Sequence, residues 1–128
     1  MVDGDIGRCV VELKVEPEHA NMYGTLHGGF SATLVDAVTS YALVTDDIES
    51  LRNLGVSVHL GLEYMKAAKV GAEIVVDASV TKRGKSLAFL TAEIRNKADN
   101  QLLVKGSHTK FLSPPPVKPE DDPTSSKL

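Results

Sequence analysis

The chain has 128 residues, of which 42% are hydrophobic and 24% are charged. This composition predicts one globular domain with a core of its own and leaves no room for a second. The formal net charge of -3 gives no basic surplus for a phosphate backbone, which argues against nucleic acid as a partner. One cysteine excludes an internal disulfide framework. Without a secretory signal or an apolar run of membrane-span length, the sequence predicts a soluble, non-secreted protein.

The first predicted element is a strand in the segment RCVVELKV, from Arg8 to Val15. Apolar residues alternate there with charged ones, as in a half-buried strand, and Cys9 is expected to be buried. Pro17 then ends the extended run, and a loop rich in turn formers leads to two adjacent glycines.

One long helix is predicted from about Gly28 to Thr45. Phe30, Leu34, Val38 and Tyr41 recur there at helical spacing, and no later glycine or proline interrupts the pattern. At 1.5 Å per residue the helix would reach about 25 Å, enough to cross a small sheet.

Four more strands are predicted after the polar loop DDIESLRN, because an alternation with a period of two returns and continues to the segment LLVKGSHTKFL. KRGK and NKADNQ are predicted turns between successive strands. The predicted fold class is therefore α+β, with an antiparallel sheet of about five strands wrapped around one helix. Residues 1–112 form this domain, and the proline-rich residues 113–128 are predicted to be a disordered tail.

A single helix cannot cover both faces and both edges of such a sheet. The uncovered face or edge must meet solvent or another copy of the chain, and long strands with little edge protection favour the second outcome. We therefore expect a homo-oligomer.

Five segments together are specific enough to indicate a family. They are N-x-x-G-T-L-H-G-G-x-x-A-T-L-V-D at 21–36, GVSV at 55–58, YM-x-x-A-K-x-G at 64–71, GKSLAF at 84–89 and HTKFL at 108–112. With these segments the chain resembles the hotdog-fold acyl-CoA thioesterases of the small thioesterase-superfamily-member type. The resemblance implies a hotdog fold, hydrolysis of fatty acyl-CoA to free fatty acid and CoA, and a site shared by two chains in a dimer or a dimer of dimers.

The glycines at the predicted helix start suit a developing oxyanion. Backbone N–H groups of Gly28 and Gly29 would lack helical partners there and could hold a thioester carbonyl oxygen. Alternatively, both glycines merely allow a tight junction between loop and helix. Asp36 lies about 12 Å further along the helix, too far to reach the same carbonyl, so the site must combine two chains. Asp36 would activate water or attack directly, and its alternative is an ordinary solvated or paired helix carboxylate.

Three further residues receive catalytic roles from the resemblance. It places the Asn21 amide against the attacking water or the thioester, makes the Ser57 hydroxyl a water-positioning group, and has His27 orient the helix start or the substrate sulfur. The alternatives are a turn-capping asparagine, an exposed strand serine and an ordinary loop histidine. Tyr64 joins Gly29 among the predicted substrate-binding residues.

A basic cluster on the predicted hairpin, Lys82, Arg83 and Lys85, could contact the phosphates of coenzyme A, and a solvated turn is its alternative. His108, with Lys110 beside it, is a weaker candidate for the same binding. The four histidines show no recognised metal-ligand spacing, and no P-loop or dinucleotide fingerprint is present, so neither a metal nor a cofactor is predicted.

The last three residues, Ser126, Lys127 and Leu128, spell the peroxisomal address SKL. This predicts a peroxisomal import receptor as a partner, with a cytosolic or mitochondrial location as the alternative. The family has a helix and a strand ahead of the segment matching GRCVVELKV, where only a few residues stand here. On that difference rests the alternative function, a non-catalytic acyl-CoA or lipid carrier; a hotdog hydratase fits the motif less well.

Overall fold

A computed structural model describes residues 6–46 and 54–112. The elements of this part are β1 (Arg8–Lys14), a short 3-10 turn (Pro17–His19), α1 (Gly28–Asp46), β2 (Val56–Tyr64), β3 (Glu73–Arg83), β4 (Leu87–Asn96) and β5 (Leu102–Phe111). All five strands join one sheet in the order β1-β3-β4-β5-β2, and every neighbouring pair is antiparallel. The predicted α+β architecture is therefore confirmed. The predicted disordered tail, including the SKL address, lies outside the described residues.

The helix α1 packs across one face of the sheet and touches all five strands. We call this the helix face and the opposite one the outer face. Alternate residues of β3 and β4, such as Ile74, Val76 and Ile94, are fully buried beneath the helix, and each contributes roughly 1.5–3 kcal/mol through apolar burial. Gly106 on β5 permits the closest approach, because a Cβ there would lie 3.0 Å from Cγ1 of Val35.

The buried side of α1 differs from the one that the apolar spacing predicted. The side chains it buries are Ser31, Val35, Val38, Thr39, Ala42 and Leu43, whereas Tyr41 is largely exposed. The helix carries apolar residues around most of its circumference, so their periodicity does not select one face. Of the other apolar residues in the predicted stripe, Leu34 packs against the edge of the core and Phe30 stacks on the ring of His19 at 4.5 Å.

A β-bulge in β2 changes which face Ser57 occupies. Ser57 pairs with Lys110 and Leu60 pairs with His108, but the register shifts between Ser57 and His59. Strict alternation predicted Ser57 on the same face as His59, away from the helix. The extra residue, Val58, reverses the phase, so that Ser57 shares the helix face with Lys110 and His108.

A second register shift, between Val80 and Lys82, decides which member of the basic cluster faces the helix. β3 continues to Arg83, so Lys82 and Arg83 belong to a strand and not to the predicted turn. Lys82 pairs with Phe89 on the outer face, while Arg83 pairs with the buried Ala88 on the helix face.

The edge strand β2 is the least protected part of the described sheet. It is nine residues long, pairs on one side only, with β5, and leaves apolar side chains such as Val58 (58% exposed) uncovered. Such an edge is a ready template for pairing with another strand. No helix within residues 6–46 and 54–112 is long and apolar enough to cross a membrane.

Candidate active site

The first turn of α1 is organised by His27. Its carbonyl oxygen accepts a hydrogen bond from the Ser31 amide at 3.0 Å, and its ring Nδ1 accepts one from the Gly29 amide at 2.9 Å. The predicted role of Gly29 as a substrate-binding donor therefore needs correction, because its N–H is already used by His27. Since Nδ1 accepts, the neutral ring carries its hydrogen on Nε2, which is left as a donor.

Gly28 borders an open cavity of about 350 Å³, which is also lined by Asn21, Tyr64 and the segment 65–68. Its amide makes no hydrogen bond with any other described residue. Its carbonyl oxygen accepts a hydrogen bond of 2.7 Å from the Tyr64 hydroxyl. A Cβ at this position would lie 3.4 Å from that hydroxyl, an ordinary contact. A small side chain at Gly28 is therefore compatible with the fold but would occupy the mouth of the cavity.

Asn21 holds the loop that precedes the helix. Its Oδ1 accepts hydrogen bonds from the Tyr23 amide at 2.9 Å, the Thr25 amide at 3.2 Å and the Thr25 hydroxyl at 3.1 Å. This is the turn-capping alternative considered for this residue. The side-chain nitrogen has no partner among the described residues, so the same amide can still donate toward the cavity.

Asp36 lies in the middle of α1, next to a buried polar layer that consists of Thr39, His108 and Lys110. Its side chain is 53% exposed, and Oδ1 lies 3.8 Å from Nε2 of His108, which is 0% exposed. One side of the carboxylate is therefore accessible to solvent, while the other side lies against His108 on β5. This explains why an aspartate is tolerated in an otherwise apolar stretch.

His108 connects the helix to Ser57. Nδ1 of His108 lies 2.8 Å from the Thr39 hydroxyl, and Nε2 lies 2.6 Å from the Ser57 hydroxyl. Thr39 donates its single hydrogen to the Val35 carbonyl oxygen at 2.7 Å, so it accepts from His108. This assigns the Nδ1–H tautomer and makes Ser57 donate to Nε2 of His108, with its oxygen lone pairs left to accept from another molecule.

Burial lowers the pKa of His108 below its ordinary value of 6.5, while Asp36 opposes the shift and Lys110 and His59 add to it. The ring is therefore neutral at neutral pH and forms no true ion pair with Asp36. A direct contact between His108 and coenzyme A phosphates, as considered from the sequence, does not fit a fully buried ring. His108 instead orients Ser57.

Lys110 is a part of this layer that the sequence motif indicated only weakly. It is 5% exposed, and its Nζ donates to the Ser40 hydroxyl at 2.9 Å. Ser40 in turn donates to the backbone oxygen of Asp36 at 2.8 Å and does not contact its carboxylate. The HTKFL segment contained both residues, but only the packing of β5 under α1 shows that His108 lies beside Asp36 and that Lys110 reaches Ser40.

The basic hairpin lies at the Ser57 end of the sheet. The Leu112 amide, just after β5, donates to the Ser86 carbonyl oxygen in the hairpin at 2.7 Å, and Phe111 pairs with Val56. Lys82 and Lys85 are exposed there, whereas Nη1 of Arg83 is buried. Tyr64, which borders the Gly28 cavity, lies at the other end of β2, roughly 20 Å from Ser57 because the segment spans six residues of β5 at 3.3 Å each.

The predicted site residues thus form two groups within one chain. Asn21, Gly28 and Tyr64 line the cavity at one end, where His27 precedes Gly28 in the chain. Asp36, Ser57 and His108 lie together nearer the other end. The described residues contain no group of three or more His, Cys, Asp or Glu side chains that could hold a metal ion. The chemistry available is therefore that of backbone donors at one end and a carboxylate with a hydroxyl at the other.

The fold is the hotdog fold of thioesterases. A sequence profile described as Thioesterase superfamily matches residues 23–103, more than half of the chain, so the chain belongs to this family. It is 45% identical to human acyl-coenzyme A thioesterase 13 over 112 residues, covering 88% of this chain and 78% of that protein.

Solved structures agree with this assignment. The structure of zebra fish thioesterase superfamily member 2 matches with a TM-score of 0.83 and 43% identity, covering 88% of this chain and 79% of that one. A hypothetical thioesterase from Streptococcus pneumoniae, solved with coenzyme A, has a TM-score of 0.79 over 88% of this chain and 83% of its own. At 23% identity, that second match supports the fold alone.

Proposed function

We propose that the protein is an acyl-CoA thioesterase that hydrolyses fatty acyl-CoA to free fatty acid and CoA. The observation that carries the choice of substrate is the 45% identity to acyl-coenzyme A thioesterase 13 across 88% of the chain. The two groups of site residues support it, because thioester hydrolysis needs an oxyanion donor and a group that activates water.

We further propose that each site is shared by two copies of the chain. The Gly28 amide and Asp36 lie eight residues apart on one helix, about 12 Å, and cannot act on one carbonyl carbon. The uncovered edge of β2 offers the way to join them. If two β2 strands pair antiparallel about Leu60, the bulge at Val58 places Ser57 of one copy opposite the partner's Leu62, on the same face as the partner's Tyr64. The polar layer of one copy then faces the cavity of the other.

In the proposed reaction the thioester carbonyl oxygen accepts a hydrogen bond from the Gly28 amide, with the side-chain nitrogen of Asn21 as a second donor. Asp36 of the other copy accepts a proton from water, whose oxygen attacks the carbonyl carbon. Ser57, whose own hydrogen goes to His108, accepts the second hydrogen of that water. Collapse of the tetrahedral intermediate breaks the carbon–sulfur bond, and the thiolate of CoA takes up a proton.

The direct test is thiol release from acyl-CoAs of increasing chain length, measured for the wild type and for Asp36→Ala and Asp36→Asn. We expect a loss of about 10²- to 10⁴-fold in kcat for both variants. Glu12→Gln is a matched control, because it removes an exposed carboxylate on β1, at the opposite edge of the sheet. Unchanged turnover in Asp36→Asn would overturn the mechanism. Binding of acyl-CoA without thiol release by a folded wild type would instead establish the carrier alternative.

We also propose a peroxisomal location, which rests on the terminal SKL of the sequence. The first check is intact-mass analysis of the protein from cells, since the address requires a chain that ends at Leu128. A fluorescent protein fused ahead of residues 1–128 should then collect in peroxisomes, and the same fusion without residues 126–128 should not. A diffuse signal from both fusions would remove this proposal in favour of the cytosol.

A further inference from the structure

Ser31 differs from the other serine and threonine side chains of α1. Those are Thr33, Thr39, Ser40 and Thr45, and each donates to a backbone carbonyl oxygen three or four residues earlier, at 2.7 to 3.0 Å. The carbonyl oxygen of His27 stands in the corresponding place for Ser31, but the bond that it accepts comes from the Ser31 amide. The Ser31 hydroxyl makes no hydrogen bond with any residue in the described part of the chain.

Ser31 is also almost completely buried. It is 2% exposed and borders the cavity beside Gly28, whose lining also includes Ala68, Leu103 and Val104, none of them more than 6% exposed. Because a side chain on a helix leans toward the N-terminus, the hydroxyl lies over the turn that begins at Gly28. A hydroxyl enclosed among apolar groups without a partner is unfavourable, so this position suits a ligand that supplies one.

The other side-chain donors of the cavity are engaged or lie outside its buried part. Thr25 and Tyr64 each give their single hydrogen to groups of the same chain. Lys66 is exposed, and the side-chain nitrogen of Asn21 is already assigned to the thioester oxygen in the proposed reaction. Ser31 is therefore the donor that remains for a second atom of the substrate.

The apolar lining indicates which half of the substrate enters the cavity. In the proposed reaction the thioester carbonyl oxygen lies at the Gly28 amide, and the phosphates of coenzyme A lie at the exposed lysines of the hairpin. Cavities lined mainly by apolar groups take the apolar segments of their ligands. The first carbons of the acyl chain therefore enter the cavity, and coenzyme A leaves it on the open side.

The helical spacing determines which acyl carbon reaches Ser31. Gly28 and Ser31 are three residues apart, so they are neighbours on the helix surface at about 5–6 Å. A chain whose carbonyl oxygen binds at the Gly28 amide can bring an oxygen on carbon 3 to Ser31, because two bonds of about 1.5 Å separate carbons 1 and 3 and both oxygens extend beyond them. An unsubstituted chain brings only a methylene group there.

We propose that Ser31 is a specificity-determining residue that hydrogen-bonds an oxygen on carbon 3 of the acyl chain, which makes 3-hydroxyacyl-CoA the preferred class of substrate. This inference rests on the proposed function. The Ser31 hydroxyl can donate to the substrate hydroxyl or accept from it. A plain acyl chain excludes water from the cavity and leaves Ser31 unpaired, and a site built around a polar group discriminates against the analogue that lacks its partner.

The experiment compares substrates that differ by one hydroxyl: octanoyl-CoA with 3-hydroxyoctanoyl-CoA, and dodecanoyl-CoA with 3-hydroxydodecanoyl-CoA. The wild type should show the higher kcat/KM for the hydroxylated member of each pair. We expect Ser31→Ala to lower the ratio of hydroxylated to plain substrate by about five- to tenfold, through the hydroxylated one. Thr33→Ala is the matched control, because it removes an exposed hydroxyl from the same helix and should leave the ratio unchanged.

A second variant and a stability measurement separate recognition of the substrate from a structural role. Ser31→Cys keeps a similar size with a weaker donor and should give an intermediate ratio. Ser31→Ala gives up no hydrogen bond to the described residues, so its melting temperature should equal or exceed that of the wild type. A clear fall in melting temperature without a change in the ratio would contradict the proposal.

An equal loss of kcat/KM for both members of a pair would also overturn it, since the hydroxyl would then bind the part that the two substrates share. A wild type that hydrolyses neither member would instead contradict the proposed function. Calorimetric binding of the same pairs to the wild type and Ser31→Ala would still test the Ser31 contact, so the two failures are distinguishable.

Discussion

The start and the middle of α1 present two different kinds of chemistry. At Gly28 the functional groups are backbone atoms beside a cavity of about 350 Å³, and Tyr64 is the side chain that fixes them. At Asp36 the functional groups are side chains, and the carboxylate lies 3.8 Å from the buried ring of His108. The first region offers space and donors without a base, and the second offers a base without an enclosed space. The two regions therefore do not meet within one chain, as the proposed shared site requires.

The largest effect is expected from mixing two inactive variants. Asp36→Asn removes the carboxylate from one half, and Gly28→Val fills the mouth of the cavity in the other. In a mixed dimer one shared site carries both changes and the other carries neither. Random pairing of equal amounts should restore about a quarter of wild-type activity, because half of the dimers have one intact site of two.

The control for this experiment is each variant refolded alone in the same way, with circular dichroism to show that both are folded. Activity that stays near zero after demonstrated subunit exchange would contradict a site shared between chains. Gly28 and Asp36 would then have to act within separate steps or sites of a single chain.

The role of His108 in orienting Ser57 can be tested with two amide side chains. Glutamine can place an oxygen near the position of Nε2 and accept from Ser57, whereas the shorter asparagine reaches only toward Thr39. We expect His108→Asn to lower kcat by about tenfold or more with little change in KM, and His108→Gln to lower it less. Ser57→Ala removes the hydroxyl itself and should give the lowest kcat of this series. Equal kcat values for the two amide variants would contradict the assigned tautomer.

The basic hairpin should contribute a smaller effect, confined to substrate binding. Lys82→Ala combined with Lys85→Ala is expected to raise KM for acyl-CoA by about fivefold at low salt, with kcat unchanged, because exposed charges act mainly by screened attraction. The difference should shrink as salt is added. Lys14→Ala, an exposed lysine on the β1 edge, is the matched control. A salt-independent KM change would point away from phosphate contacts.

The smallest expected effect concerns stability in mild acid. Burial holds the pKa of His108 in the folded protein below its ordinary 6.5, so the unfolded chain binds this proton first as the pH falls. The stability contribution is therefore complete above about pH 6.5 and is lost as the pH falls toward the folded-state pKa. Thermal melting from pH 8 to 5.5 should show a steeper decline for the wild type than for His108→Gln. Parallel curves of melting temperature against pH for the two proteins would contradict this role of His108.

The order of the elements was well predicted because it depends on local patterns. Alternation with a period of two located all five strands, and the helix begins at Gly28 as expected and ends at Asp46, one residue beyond the prediction. The membership of the thioesterase superfamily was likewise predicted from the motif series and is confirmed. The roles of the site residues remain predictions, since no contact with a substrate tests them.

What the sequence determined by itself was the fold class and the residue types at the helix start, since periodicity, glycine and motif spacing are local properties. Tertiary structure decided the rest. The bulge at Val58 turned Ser57 toward the helix, and packing brought Lys110 of β5 against Ser40 of α1, one turn from Asp36. These outcomes depend on strand register and on contacts between residues about 70 positions apart, which no local pattern encodes.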